Sequence, residues 1–547
     1  MVMLMDMAYW SLKGADPRPE QERIIDKIIQ AMNNGYQNIV LEAGTGVGKS
    51  AIATTIANKV DDTYILTRTK QLQEQYLKDF SYMLTEIKGR NNYICYKEST
   101  SDFTFTCDTC DKNKPCKDCN YLTHRTQAIH ANTTLANYDY LYYSNLYSDN
   151  WEQRKLIVLD EAHKFESFIM GKVTRSFSDN YCKNTYGIDI FSSIRNGDSL
   201  TNWIEPSAWI PIIEKIIHKL NELTGEYKKQ LAMGVSRNKR ALLLKRIKKI
   251  PSRVKNYYDL IDELKDNGDE WVVLLPTKSQ ILNPKITNCT VEFKPITAQK
   301  FTDTILSLGE TRLFMTATIG DEDKFCEWIN INHDDTFFIY EKGSFPVENR
   351  PIYKSYIGNM KGSHRDARGW SIPNWKTEKG LNKILEICME YPDQKGIIHT
   401  TSHAQTYWIL ENLSEHLPLW KIESDKKQNW NQLTREEIVD RFIKTDIPAI
   451  LVGAGIKDGV DFKDDACRFQ ILYKTPFPAF DAQVRKRNQK DKVWWNYQAV
   501  MDSMQSYGRG VRSETDYCDF YILDKEFDNL LRRWKHLFNE YFLEAIQ

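Results

Sequence analysis

The stretch Asn38-Ile-Val-Leu-Glu-Ala43-Gly-Thr-Gly-Val-Gly-Lys-Ser50-Ala-Ile-Ala-Thr-Thr-Ile-Ala57 decides the fold. Its apolar opening predicts a buried parallel strand, and its close predicts a helix. Between them, Ala43, Gly44, Thr45, Gly46, Val47 and Gly48 form a glycine-rich turn. Such a turn bares backbone N–H groups at the positive end of the helix dipole, where a phosphate binds. Lys49 is placed to reach the outer phosphates, and the Ser50 hydroxyl to ligate Mg²⁺. Alanine stands at 43, where the usual pattern has glycine. The bland alternative is a chance turn before a core helix.

A second element weighs against chance. Lys155-Leu-Ile-Val-Leu159 reads as another buried strand and runs into Asp160-Glu-Ala-His163. Acids at the carboxyl tip of a parallel strand sit beside the phosphate crevice. Asp160 is the expected Mg²⁺ holder, and Glu161 is expected to polarise the attacking water. Near the C-terminus lies Gln505-Ser-Tyr-Gly-Arg-Gly-Val-Arg512. Gln505 can hydrogen-bond a γ-phosphate. Arg509 and Arg512 are three apart and share a face if the segment is helical. Guanidinium groups stabilise charge during phosphoryl transfer. The catalytic set expected from sequence is therefore Lys49, Asp160, Glu161, Gln505, Arg509 and Arg512.

With these motifs in this order, the chain resembles superfamily 2 helicases of the iron–sulfur XPD/DinG type over nearly its whole length, weakly between about residues 170 and 300. Further segments carry the resemblance. Arg18-Pro-Glu-Gln21 resembles the adenine-reading element, which implies nucleotide contacts for Arg18 and Gln21. Tyr64 to Leu72 resembles motif Ia, which implies backbone contacts to nucleic acid from Thr67, Arg68 and Thr69. Ala136 to Leu141 resembles the segment before the acidic box. Met315-Thr-Ala-Thr318 resembles motif III. Gly396 to Ser402 resembles motif IV, with Thr400 and Ser402 as nucleic-acid contacts. Gly453 to Asp461 resembles motif V, with Gly459 and Asp461 near the nucleotide, although Asp458 stands where the family usually has Glu.

Five of the eleven cysteines, Cys95, Cys107, Cys110, Cys116 and Cys119, fall close together. Clustered cysteines in a protein expected to be intracellular point to metal rather than disulfides. Spacing alone fits a zinc knuckle. The flanks Lys88 to Cys95 and Cys119 to Arg125 resemble the cluster domain of the family, which implies a 4Fe–4S cluster held by four of the five thiolates. Cys95 and Cys119 match best; the choice among Cys107, Cys110 and Cys116 stays open. A metal staple offsets the small core of so short an insertion.

The expected fold class is α/β: two RecA-like parallel-sheet motor domains, an inserted iron–sulfur domain and a mainly helical arch-like insertion. The expected segments are 1–84, 125–170 and 300–345 for the first motor domain, 85–124 for the cysteine domain, 171–299 for the arch and 346–547 for the second motor domain. Ile212, Ile213, Ile216, Ile217, Leu220 and Leu223 recur at helical spacing. Arg237 to Lys255 holds nine Lys or Arg and no acid, with apolar residues interspersed. It predicts an amphipathic helix pair whose charged face is either a nucleic-acid track or simply solvated. Arg485 to Lys490 precedes Trp494, Trp495 and Tyr497, which fits either base stacking or core packing.

At 547 residues, 27% charged and 12% aromatic, the chain is expected to be globular, with three or four domains at roughly 150 residues each. Its 74 basic and 74 acidic residues exclude a uniformly basic coat but allow a local basic channel. No apolar run is long enough for a membrane span. Met1-Val-Met-Leu-Met5 lacks the basic lead and cleavage site of a signal peptide. The expected location is intracellular: cytoplasm, nucleoid, or nucleus in a eukaryote.

The expected function is an ATP- and Mg²⁺-dependent DNA helicase acting on single-stranded DNA and forked duplex, with DNA/RNA hybrid as an alternative substrate and 5′-to-3′ polarity implied by the resemblance. One rival is a translocase or remodeller without processive unwinding. A second is a non-enzymatic, zinc-stapled nucleic-acid-binding module, disfavoured by the intact catalytic set. No separate nuclease constellation is present.

Overall fold

The computed structural model describes residues 9–44, 46–96, 99, 104–108, 118–147, 150–283, 285–286, 288–366, 368–422, 433–456 and 462–547. Strands β1 (Asn38–Ala43), β2 (Thr63–Thr67), β3 (Thr85–Glu86), β4 (Thr133–Asn137) and β5 (Arg154–Asp160) come first. Three short strands follow: β6 (Arg175–Ser178), β7 (Trp271–Leu274) and β8 (Thr290–Pro295). Then come β9 (Gly309–Thr316) and β10 (Thr336–Glu341). The seven strands other than β6, β7 and β8 make one parallel sheet in the order β10-β1-β9-β5-β2-β4-β3.

The sequence explains why both faces of this sheet are covered. Ile39, Leu41, Ile65, Val158 and Met315 pack into one core with the helices Pro19–Asn33 and Lys49–Val60. Their neighbours Val40, Tyr64, Leu66, Ile157, Leu159 and Phe314 pack into another, with Tyr138–Tyr147 and Phe165–Val173. Side chains alternate along a strand, so a strand buried on both faces must be apolar throughout.

A second parallel sheet is built from β11 (Ile352–Tyr353), β14 (Gly396–Thr400), β15 (Leu419–Lys421), β16 (Ile450–Ala454), β17 (Phe469–Leu472) and β18 (Asp519–Ile522), in the order β11-β18-β17-β14-β16-β15. A separate hairpin pairs β12 (Ser363–Arg365) with β13 (Ser371–Pro373). Two parallel α/β lobes in tandem are the expected RecA-like pair.

The two lobes meet behind the acidic box. Arg487, on the helix Ala482–Lys490, is fully buried and forms an ion pair with Glu166. The Trp494 indole donates to the same carboxylate at 3.0 Å, and the Arg487 guanidinium lies 4.1 Å over the Trp494 ring. The Trp328 indole donates to Asp491 at 2.7 Å. Arg487 and the aromatic residues of the run at 485–497 therefore pack against protein, while Arg485, Lys486 and Lys490 stay exposed. Tyr497 is core, and Trp495 stacks on Phe477 at 4.3 Å and donates to the Pro478 carbonyl.

The insertion between β5 and β9 differs from expectation in two ways. Its helix Ile210–Ala232 carries the predicted isoleucine stripe inward. It also holds the antiparallel sheet β6-β8-β7, so it is helical with a small sheet at its base. The predicted helix pair at 237–255 is one helix, Arg237–Asp266, that runs through Pro251. Leu243, Ile250, Leu260, Ile261 and Leu264 are buried along it, and this packing offsets a proline cost of about 3 kcal/mol. No helix among the described residues is long and apolar enough to cross a membrane.

Candidate nucleotide site

β1 ends at Ala43, between β9 and β10, and delivers the glycine-rich loop to the carboxyl edge of the first sheet. Gly46 and Gly48 have φ of 88° and 86°, the left-handed region open to glycine. A Cβ on Gly48 would overlap the Gln21 amide, and one on Gly46 the Phe345 ring. The Arg18 guanidinium donates to the Gly46 carbonyl (2.6 Å) and the Gln21 amide to the Val47 carbonyl (2.8 Å). Both residues thus clamp the loop from outside. Lys49 Nζ donates to the carbonyls of Ala43 (2.9 Å) and Gly44 (3.4 Å). Thr45 lies outside the described residues.

Asp160 closes β5 and is buried. The Tyr76 hydroxyl donates to its Oδ2 at 3.0 Å, and Ser50 also reaches that phenol. Two oxygen donors therefore converge beside the loop, a donor set that suits a hard cation such as Mg²⁺. Burial, reinforced by Glu161, pushes the Asp160 carboxyl up to about 6 against the pull of Lys49. Glu161 takes φ of 56°, an uncommon conformation for a non-glycine residue, costing about 1–3 kcal/mol. Its carboxylate stands 3.4 Å from His163 Nδ1. That nitrogen lies 2.9 Å from the Thr316 hydroxyl, which in turn donates to the Thr318 carbonyl at 3.0 Å. The acidic box is thereby tied to motif III.

Glu42 makes a second tie that sequence reading missed. Its carboxylate accepts from the Ile319 N–H at 2.6 Å. Burial pushes this carboxyl up to about 7, although the Ile319 and Gly320 N–H groups and Lys49 pull it down. A raised carboxyl holds a proton in the native state that the unfolded chain has released. Stability should therefore fall as pH rises from about 4.5 to about 7, and level off above. Glu42→Gln cannot ionise. Denaturant midpoints at about pH 5 and about pH 8 should show the wild type losing ground to this variant at the higher pH. A pH-independent difference would refute the assignment.

From the second lobe, the helix Trp494–Tyr507 ends just after Gln505. The Gln505 side chain is buried, and its amide nitrogen and oxygen have no hydrogen-bond partner among the described residues. Arg509 and Arg512 do not share a helix face as expected, because the helix has already stopped. A turn brings them round instead. It is pinned where Arg512 N–H donates to Asp516 (2.9 Å), and Gly510 packs against the Cys518 sulfur with no room for a Cβ. Fully buried Arg350, also missed from sequence, fixes the turn's start: it donates to the Tyr507 hydroxyl at 3.1 Å, and that hydroxyl donates to the Arg350 carbonyl at 2.9 Å.

Lys49, Ser50, Asp160, Glu161, Gln505, Arg509 and Arg512 line one cavity of about 760 Å³ between the lobes, a size that suits a nucleotide. Gly44, Gly46 and Gly48 complete its floor, and Lys463, Asn539 and Tyr541 add wall that no motif predicted. Gly459 and Asp461 lie outside the described residues.

The expected nucleic-acid contacts are less open. The Thr67 hydroxyl donates to the Thr69 carbonyl, and the Thr69 hydroxyl caps the helix Lys70–Phe80. Thr400 bonds Thr406, and Ser402 caps the helix His403–Leu413. These four hydroxyls serve local structure, and Arg68 lines the cavity 3.9 Å from Asp139.

Cys95, Cys107 and Cys119 are buried, unbridged and neighbours. An antiparallel bridge between Ile94 and Thr106 joins the first two segments. Cys119 sits at the N-cap of the helix Asn120–His130. Burial, with Cys119 and Cys95 adding, pushes the Cys107 thiol up to about 12. Among the described residues no three His, Cys, Asp or Glu side chains are drawn to metal-holding distance. Cys110 and Cys116 lie outside the described residues.

Two parallel lobes that share a phosphate loop, an acidic box and paired arginines across one cleft define a nucleotide-driven motor. The chain's residues 384–544 match the family model described as the helicase C-terminal domain, and residues 14–188 match the type III restriction enzyme res subunit. It is 21% identical to the ATP-dependent DNA helicase YoaA of Haemophilus influenzae, over 92% of this chain and 90% of that one. A probable ATP-dependent helicase of Methanocaldococcus jannaschii is 20% identical, over 94% and 92%. Among solved structures, an XPD helicase superposes with a TM-score of 0.63 at 15% identity, covering 96% of this chain and 99% of that one. A structure of XPD in its apo form gives 0.56 at 14%, covering 94% and 98%. The chain thus carries a helicase C-terminal domain, has an XPD-like helicase fold and is similar to ATP-dependent DNA helicases.

Proposed function

We propose that this protein is an ATP-dependent DNA helicase that translocates on single-stranded DNA and opens forked duplex, 5′ to 3′ by family resemblance. One observation carries the reading: the convergence, in a single interlobe cavity, of loop, acidic box and motif VI side chains. Lys49, now on two loop carbonyls, exchanges them for phosphate oxygens. Mg²⁺, held by Ser50 and Asp160, would neutralise triphosphate charge. Glu161 orients the attacking water, with His163 fixing its carboxylate. The unpartnered Gln505 amide is free to bond the γ-phosphate when the lobes close. Arg509 and Arg512 meet the developing charge from the second lobe. Closure and release move one lobe along the strand. This reading places the protein inside the cell, on nucleic acid.

The chemistry of three buried, unbridged cysteines fits an iron–sulfur cluster better than a disulfide. We assign Cys95, Cys107 and Cys119 to it, with the fourth ligand from Cys110 or Cys116; zinc is the alternative. Lys245 binds the Asp108 carboxylate (2.7 Å) and Lys248 its carbonyl (3.2 Å), so the helix Arg237–Asp266 docks beside Cys107. A rigid edge there would split the duplex, while the ATP site is built elsewhere. Cys119→Ser should therefore lose iron and forked-duplex unwinding, yet keep appreciable ATP hydrolysis stimulated by single-stranded DNA. Iron content, hydrolysis and unwinding measured on one preparation test this. Unwinding at wild-type rate without iron would overturn the role. Hydrolysis without unwinding in the iron-loaded wild type would favour a translocase.

A further inference from the structure

The hairpin β12–β13 has no part in the nucleotide site. It is an exposed projection from the second lobe. Its foot is tied to the segment after β18: Ile357 N–H donates to the Leu523 carbonyl (2.9 Å), Met360 N–H to Asp524 (2.9 Å) and Lys525 N–H to the Gly358 carbonyl (2.9 Å). Its far side returns through Trp375, which packs on Trp408 with ring centroids 6.0 Å apart. Trp408 belongs to the helix opened by Ser402, so the hairpin stands at the carboxyl edge of the second sheet, beside motif IV. One carboxylate joins the described residues at its end. Asp366 accepts from the N–H groups of Arg368 (2.9 Å) and Trp370 (2.8 Å).

This scaffold holds Trp370 71% exposed, an unusual cost for so large an apolar side chain. The segment 361–376 carries Lys361, Arg365, Arg368 and Lys376 against the single acid Asp366. Lys361 lies over the Trp495 ring at 5.2 Å, which links the hairpin to the Phe477–Trp495 stack. An aromatic face ringed by cations fits a stacked base and its flanking phosphates.

We propose that this hairpin is a single-strand contact, with Trp370 stacking on a base and Arg365 and Arg368 holding the adjoining phosphates. The proposal rests on the reading of the chain as a nucleic-acid motor. The test is equilibrium binding of a fluorescent single-stranded oligonucleotide across a salt series by wild type, Trp370→Ala, Trp370→Phe and Arg365→Ala/Arg368→Ala. Trp370→Ala should weaken binding about 10-fold, and Trp370→Phe should restore most of it. The double arginine variant should flatten the slope of log affinity against log salt by about 1.4. Strand-independent ATP hydrolysis should be unchanged in all three, which shows that they are folded. Wild-type binding that Trp370→Ala and the arginine changes leave intact would overturn the hairpin's role alone. A wild type that binds no strand would overturn both it and the motor reading.

Discussion

Glu161→Gln will leave nucleotide binding intact and lower ATP turnover by on the order of 10²- to 10⁴-fold. The amide is isosteric, so the left-handed backbone at 161 and the cavity's shape persist, but it cannot draw a proton from water. His163, itself bonded to Thr316, would still stand beside the side chain. Lys49→Ala is the complementary control. It removes the cation that grips phosphate, so it should lose affinity as well as turnover. Fluorescent-nucleotide binding beside steady-state hydrolysis separates the two. Normal turnover in Glu161→Gln would remove the carboxylate from the chemistry.

Arg512→Ala and Arg509→Ala should lower turnover at saturating nucleotide by about 10³-fold or more, the range of an arginine supplied across a cleft. These residues come from the second lobe while Lys49, Asp160 and Glu161 come from the first, so hydrolysis requires both. The loss should therefore appear in kcat and survive any excess of ATP. A change confined to KM would mean that the arginines bind the ground state only.

Much of this site was legible because its motifs are local. A strand, a glycine turn and a helix within twenty residues determine where Lys49 and Ser50 go, and β5 does the same for Asp160. Motif VI was legible in identity but not in geometry. Three-residue spacing suggested a helix face, yet the chain leaves the helix at Tyr507, and Asp516 and Cys518 shape the turn that follows. Glu42, Tyr76 and Arg350 were invisible because their partners lie across the sheet or at the other end of the lobe. The isoleucine stripe announced the helix Ile210–Ala232. Strands β6, β7 and β8 are four to six residues long, and β6 finds its partner β8 more than a hundred residues away. Such pairing leaves no local period to read.

The most direct measurement is steady-state ATP hydrolysis by the full chain with and without saturating single-stranded DNA. A motor whose lobes close on nucleotide and strand together should turn over slowly alone and several-fold faster with the strand. Hydrolysis indifferent to the strand, or none in either condition, would contradict the account.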